Sequence, residues 1–248
     1  MPFNLYNAIA AAVWATTAFT GFMTLMLALG FVHIDFGRLL GGIVRPQIDR
    51  NAALIGLLMH LGIGVVFGLI YAGLFAYLGL PGVLWLATFV GTGFGIYHWL
   101  LSMPLISIGR QLNPHIREGQ ESDPGIWGIN YGPQEAFVRL IGYHLYGAVM
   151  GFAYVAVGLL NGSIRGEGYG GNGIAILLPL ILFGAVVYLY IESVPASAAA
   201  APYAFEATEP NERDLIQSGR AELRARYERG EISWDEYQHL RRQFASEP

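Results

Sequence analysis

Residues 52–78 read AALIGLLMHLGIGVVFGLIYAGLFAYL, with no charged side chain from end to end. A bilayer core of about 30 Å needs roughly 20 consecutive apolar residues in a helix, so this stretch predicts a transmembrane span. Four more stretches qualify on the same ground, at about 8–32, 83–107, 136–160 and 173–194. Composition agrees: 54% of the 248 residues are hydrophobic and 13% charged, and mean hydropathy is +0.45. Soluble chains carry about a quarter charged residues. The sequence therefore predicts an all-α polytopic membrane protein of five spans with a small polar appendage. The first span lies close to Met1, but MPFNLYN lacks the positive charge of a signal peptide and the apolar run is too long for one. It reads as a retained helix. With no cysteine, disulfides, thiolate metal sites and cysteine nucleophiles are excluded. A net charge of −4 without a basic stripe argues against nucleic acid as a partner.

Orientation follows from the positive charges. All 14 are arginine, and only Arg165 falls in a loop on the far side. Arg38, Arg45 and Arg50 separate spans one and two, Arg110, Arg117 and Arg139 lie between three and four or open span four, and the rest follow span five. Five spans explain that asymmetry with the N-terminus outside and the C-terminus in the cytoplasm. The expected location is the prokaryotic cytoplasmic membrane, with lipid as the surrounding partner.

Three regions follow: a transmembrane domain over 1–194, a flexible linker over 195–218 and a charged helical hairpin over 219–246. In the hairpin Leu223, Tyr227, Tyr237, Leu240 and Phe244 recur at helical spacing. Gly230 suits the end of a first helix, and Ser233 with Glu236 makes a capping box for a second. A hairpin this small cannot hold a core alone and is expected to dock on another surface. Gly230-Glu-Ile232-Ser233-Trp-Asp-Glu236-Tyr237 resembles the SHOCT (short C-terminal) domain. That resemblance implies a module for oligomerisation or regulation, with no catalytic residues.

Spans two and four share a text. Gly64-Val-Val-Phe-Gly68-Leu-Ile-Tyr71 and Gly147-Ala-Val-Met-Gly151-Phe-Ala-Tyr154 both read G-x-V-x-G-x-x-Y, each shortly after a histidine. Span three adds Gly91 and Gly95 before His98. Small residues four apart let helices approach closely, so these six glycines read as packing seams and suggest a short parallel repeat. His60 and His144 each lie eight residues into their spans and His98 nine residues from the end of its own, which places all three about 12–14 Å deep. Ionisable groups at such depth usually face a bundle interior. Several readings compete: imidazoles bonded to backbone carbonyls or to Tyr97 and Tyr143, a metal or b-type haem site, a proton or small-molecule channel, or axial ligation of a pigment.

Further ordered motifs occur over residues 8–160. They are Thr20-Gly-Phe-Met-Thr24, His33-Ile-Asp35, Leu39-Leu-Gly41, Met59-His60, Gly95-Ile-Tyr-His98-Trp99, Met103-Pro104, Asn130-Tyr-Gly132 and His144-Leu-Tyr-Gly147. Here the chain resembles a family of small bacterial and archaeal polytopic membrane proteins classed as a domain of unknown function. The resemblance implies a four-span core, with the fifth span and the tail as additions, and it sets His60, His98 and His144 in motif positions. It implies no activity.

Asp35 reads as the cap of a short interfacial helix over Phe36–Val44, with Arg38 and Arg45 at lipid phosphates. The loop at 108–135 carries His115 and Glu118, a weak peripheral pair of metal ligands. Trp127 and Tyr131 read as headgroup-level anchors. No charged residue falls in a span centre, which disfavours an ion-coupled carrier even with Pro104 and Pro179 inside spans. Phosphate loops and hydrolase or metalloprotease motifs are missing. The expected role is a non-enzymatic accessory or assembly protein, in a homo-oligomer or with other membrane subunits. The alternatives are a haem or metal protein using His60, His98 and His144, or a channel along the same layer.

Overall fold

The computed structural model describes residues 1–45, 49–118, 123–164, 173–193 and 236. All regular structure among them is helical. The elements are α1 (Leu5–Ala28), α2 (Phe36–Val44), α3 (Arg50–Tyr77), α4 (Leu84–Leu112), α5 (Pro114–Arg117), a 3-10 turn (Ile126–Tyr131), α6 (Pro133–Leu160) and α7 (Ile174–Ser193). Five of them, α1, α3, α4, α6 and α7, are long and apolar enough to cross a membrane. The chain is a multi-pass membrane protein. It divides into two compact units, Met1–Pro202 and Tyr203–Pro248. The linker over 195–218 and the hairpin residues Leu223, Tyr227, Gly230, Ile232, Tyr237, Leu240 and Phe244 lie outside the described residues, as does Arg165.

Helix starts follow their capping chemistry. Asn4 accepts from the Asn7 N–H at 3.0 Å, Asp35 from Arg38 at 3.1 Å and Asp49 from Ala52 at 2.7 Å. The same Ala52 N–H holds the Asp49 carboxyl below its ordinary pKa. Asn113 caps α5 and Pro133 opens α6, where a missing N–H costs nothing. Two spans are longer than hydropathy suggested. α4 continues to Leu112 and α6 begins at Pro133, so the 108–135 connection is shorter than expected and itself partly helical. Hydropathy finds apolar runs, whereas helices end where their caps are.

α1 lies between α3 and α6, with α4 on the other side of α6 and α7 against α1. α1 can sit centrally because Ala8, Ala11, Ala12 and Ala15 keep its surface flat. The six seam glycines stand at close contacts inside the chain. A Cβ on Gly64 would overlap Thr16, and one on Gly68 would overlap Ala12. On the other pair, a Cβ on Gly147 would overlap the Gly91 carbonyl and one on Gly151 the Ala87 carbonyl. Gly95 abuts the backbone of His144. The pairs α1/α3 and α4/α6 therefore share one antiparallel register, with Thr16 and Ala12 standing where Gly91 and Ala87 stand.

α2 folds back on α3 through backbone contact, since a Cβ on Gly56 would overlap the Gly37 carbonyl. Arg38 departs from expectation. It is buried beside Asp35 rather than set at lipid phosphates, because its helix lies against the bundle. Arg45 pairs with Asp49 at 3.3 Å. The outer faces of the spans expose large apolar side chains such as Trp85, Phe89, Leu177 and Ile181, which meet lipid.

Candidate functional site

α3 and α4 are joined by a short turn yet touch at few points. Side chains from α1, α2 and α6 fill the space between them around a cavity of about 60 Å³. His60 comes from α3, His98 and Ser102 from α4, Tyr143 and Tyr146 from α6, Thr16 from α1 and Phe36 from α2. Two of the three expected histidines therefore share one site.

His98 is 6% exposed and fixed by rings: Phe67 stacks on it at 3.9 Å, with Tyr143 at 4.6 Å and Tyr146 edge-on at 4.8 Å. Its Nδ1 is buried without a hydrogen-bond partner among the described residues. Such a group costs about 1–3 kcal/mol when left unmet. His60 stacks on Phe36 at 5.2 Å with an interplanar angle of 4°, and its Nδ1 lies 3.3 Å from the Thr20 hydroxyl. His144 does not line the cavity. Its Nδ1 lies 2.7 Å from the Leu140 carbonyl one turn back on its own helix. The shared depth was an axial statement, and the azimuth separates His144 from the other two.

A second cavity of about 20 Å³ shares His60 and Phe36 with the first and is lined by Thr20, Thr24, Asp35 and Tyr190 among others. The Tyr190 hydroxyl reaches both Asp35 carboxylate oxygens, at 2.5 and 2.6 Å. Burial pushes the Asp35 carboxyl above its ordinary pKa, against the lowering effect of that hydrogen bond and of Arg38. α7 is thereby tied to the cap of α2.

Sequence reasoning missed a fully buried ion pair. Glu135 and Arg139, one turn apart on α6, form an ion pair at 2.5 Å with both side chains 0% exposed. Glu135 accepts from the backbone N–H groups of His33 (2.7 Å) and Ile34 (3.3 Å), while Arg139 donates to the Ile34 carbonyl at 3.2 Å. The Arg139 guanidinium also sits 4.5 Å over the Phe36 ring. The i, i+4 spacing is visible in the sequence, but Glu135 falls just before the expected span over 136–160 and Arg139 at its start, where both look able to reach water.

A macrocycle needs a pocket of hundreds of Å³, against the 60 Å³ found. Among the described residues, no cluster of three or more His, Asp or Glu side chains could hold a metal. His115 is buried and its Nε2 lies 3.0 Å from the Arg45 carbonyl, tying α5 to the end of α2. These features define a multi-pass membrane protein with a small, aromatic-walled, imidazole-bearing cavity in its bundle. No family model matches the chain, and neither a curated protein nor a solved structure matches it.

Proposed function

We propose that this membrane protein is a non-enzymatic binding or conducting unit whose site is the His60–His98 cavity. The observation that carries this is the convergence of two histidines from different helices on one cavity, with a buried His98 nitrogen that has no partner among the described residues. Ring stacking holds His98 in place without a ligand, which lowers the cost of binding one. The experiment is a titration of ¹⁵N-histidine-labelled protein in nanodiscs with sodium butanoate. Saturable shifts at His60 and His98, with none at His144, are expected. Shifts that grow linearly and equally at all three would mean partitioning only, and would end the proposal.

A second reading keeps the assembly role. It is supported by Gly62 and Gly73, which flank Val66 and Ile70 on α3 and face open space, together with the SHOCT-like pattern at 219–246 and the resemblance of residues 8–160 to a four-span family. Truncation before residue 219 should lower the oligomeric mass in detergent, while His98→Ala leaves it unchanged. An unchanged mass after truncation would end this reading. The proposed location is a prokaryotic cytoplasmic membrane with the C-terminus inside, supported by the one-sided placement of 13 of the 14 arginines.

A further inference from the structure

Resting on the cavity reading above, we infer that the site is filled sideways from the membrane, between α3 and α4, by a single-chain fatty acid. Its carboxyl group lies at His60 and His98 and its tail runs out between the two helices.

The walls dictate the direction. Toward one end of the bundle, Phe36, Leu39 and Leu40 of α2 close the cavity. Toward the other, the Phe67–His98 stack joins α3 to α4, and the Tyr146 hydroxyl donates to the Gly64 carbonyl at 2.6 Å. Ile63 and Leu105 line the cavity and are nevertheless 36% and 44% exposed, so they form its rim. That rim opens on outward faces carrying exposed Val66, Leu101 and Ile108, which is where lipid lies.

Size selects the head. At about 60 Å³, against several hundred for an ordinary ligand pocket, the cavity takes only a small head. A head of two or three heavy atoms fits, and a phospholipid headgroup does not. Chemistry selects its type. The polar lining consists of imidazoles and hydroxyls with no carboxylate among them. Two of those hydroxyls are already spent, Thr16 on the Ala12 carbonyl and Tyr146 on Gly64. Ser102 is engaged with the Tyr143 hydroxyl, which leaves the Tyr143 O–H and the two imidazoles to meet a ligand. With no carboxylate in the lining, an acidic head meets no like charge and can accept from the imidazole and phenol groups. A carboxyl group does so with both oxygens.

The test uses the full chain in nanodiscs with a twelve-carbon fatty acid bearing a mid-chain diazirine, cross-linked by light and mapped by peptide mass spectrometry. Label should concentrate on α3 and α4 around Ile63 and Leu105. Excess dodecanoic acid should reduce it about tenfold, and methyl dodecanoate should not. Leu105→Trp fills the rim on an already exposed apolar position, so the protein should fold while losing the label. Label spread equally over the outer face of α7, or unaffected by dodecanoic acid, overturns the inference. Equal competition by dodecanol overturns the carboxyl assignment. If butanoate still shifts His98 in either of those cases, sideways filling by a fatty acid fails while the cavity reading stands. If butanoate does nothing as well, both fail.

Discussion

Glu135 holds the turn between α1 and α2 by accepting two of its backbone N–H groups, and Arg139 donates to the Ile34 carbonyl that follows them. A fully buried charge is tolerable only while its partner stays. Arg139→Met should therefore cost about 3–5 kcal/mol in a reversible unfolding titration in mixed micelles. Adding Glu135→Gln to it should restore more than half of that loss, because the remaining buried group is neutral. No recovery in the double variant would show that Arg139 matters for its own packing over Phe36. Asp35 gives a pH signature. Its folded-state pKa is raised by burial, so the folded protein retains a proton that the unfolded chain has released. Stability from this group is full below the ordinary value of 3.8 and falls as pH rises through the raised value. Asp35→Asn keeps an N-cap side chain and should flatten that part of the melting-temperature profile. An identical slope in both proteins would rule Asp35 out as its source. At this scale the sequence was only partly legible. His60 stands four residues before Gly64, but His144 stands three before Gly147. One residue rotates a helical side chain by about 100°. Tyr143, not His144, occupies the position equivalent to His60, and both line the cavity.

At the level of elements, the glycines of the α4/α6 seam matter because backbone carbonyls, not flexible side chains, stand opposite Gly91, Gly147 and Gly151. Gly147→Ala would set a methyl group on the Gly91 backbone, and α4 and α6 would have to separate. Overpacking of this sort costs about 1–3 kcal/mol. Gly73→Ala meets open space and should leave stability unchanged or slightly improved. Equal effects in unfolding titrations would mean that the α4/α6 seam is softer than its backbone contact implies. The spans and their seams could be read in advance because apolar length and small-residue spacing are local properties. The pairing of each seam could not. Nothing in G-x-V-x-G-x-x-Y states that one copy meets Thr16 and Ala12 while the other meets Gly91 and Ala87. The burial of α2 was hidden for a similar reason. Arg38 and Arg45 gave it an interfacial look, whereas Gly37 and Gly41, which press it onto α3, carry no hydropathy signal.

For the whole molecule, two glycine-seamed pairs joined through α1 and α6 leave α3 and α4 apart at one side, and the cavity occupies that gap. α7 is fastened to this plan by the apolar contacts of Phe183 and Val187 and by the Tyr190–Asp35 bond. Asp35 caps α2, and Phe36, Leu39 and Leu40 of α2 wall the cavity, so α7 and the cavity share one element. Which end of this assembly faces the cytoplasm follows from charge rather than packing. The connections 29–49 and 113–132 leave the bundle at the same end as the arginines, and the turn 78–83 leaves at the other. Because the chain has no cysteine, a single introduced thiol reports its own side without background. Leu78→Cys, at an exposed turn position, should react with a membrane-impermeant maleimide in intact cells. Glu118→Cys, also exposed, should react only after the membrane is opened. Reversed labelling would overturn the proposed orientation and put the Glu135–Arg139 network at the outer face. Labelling of both thiols in intact cells would point to dual insertion, which so one-sided a distribution of arginine argues against.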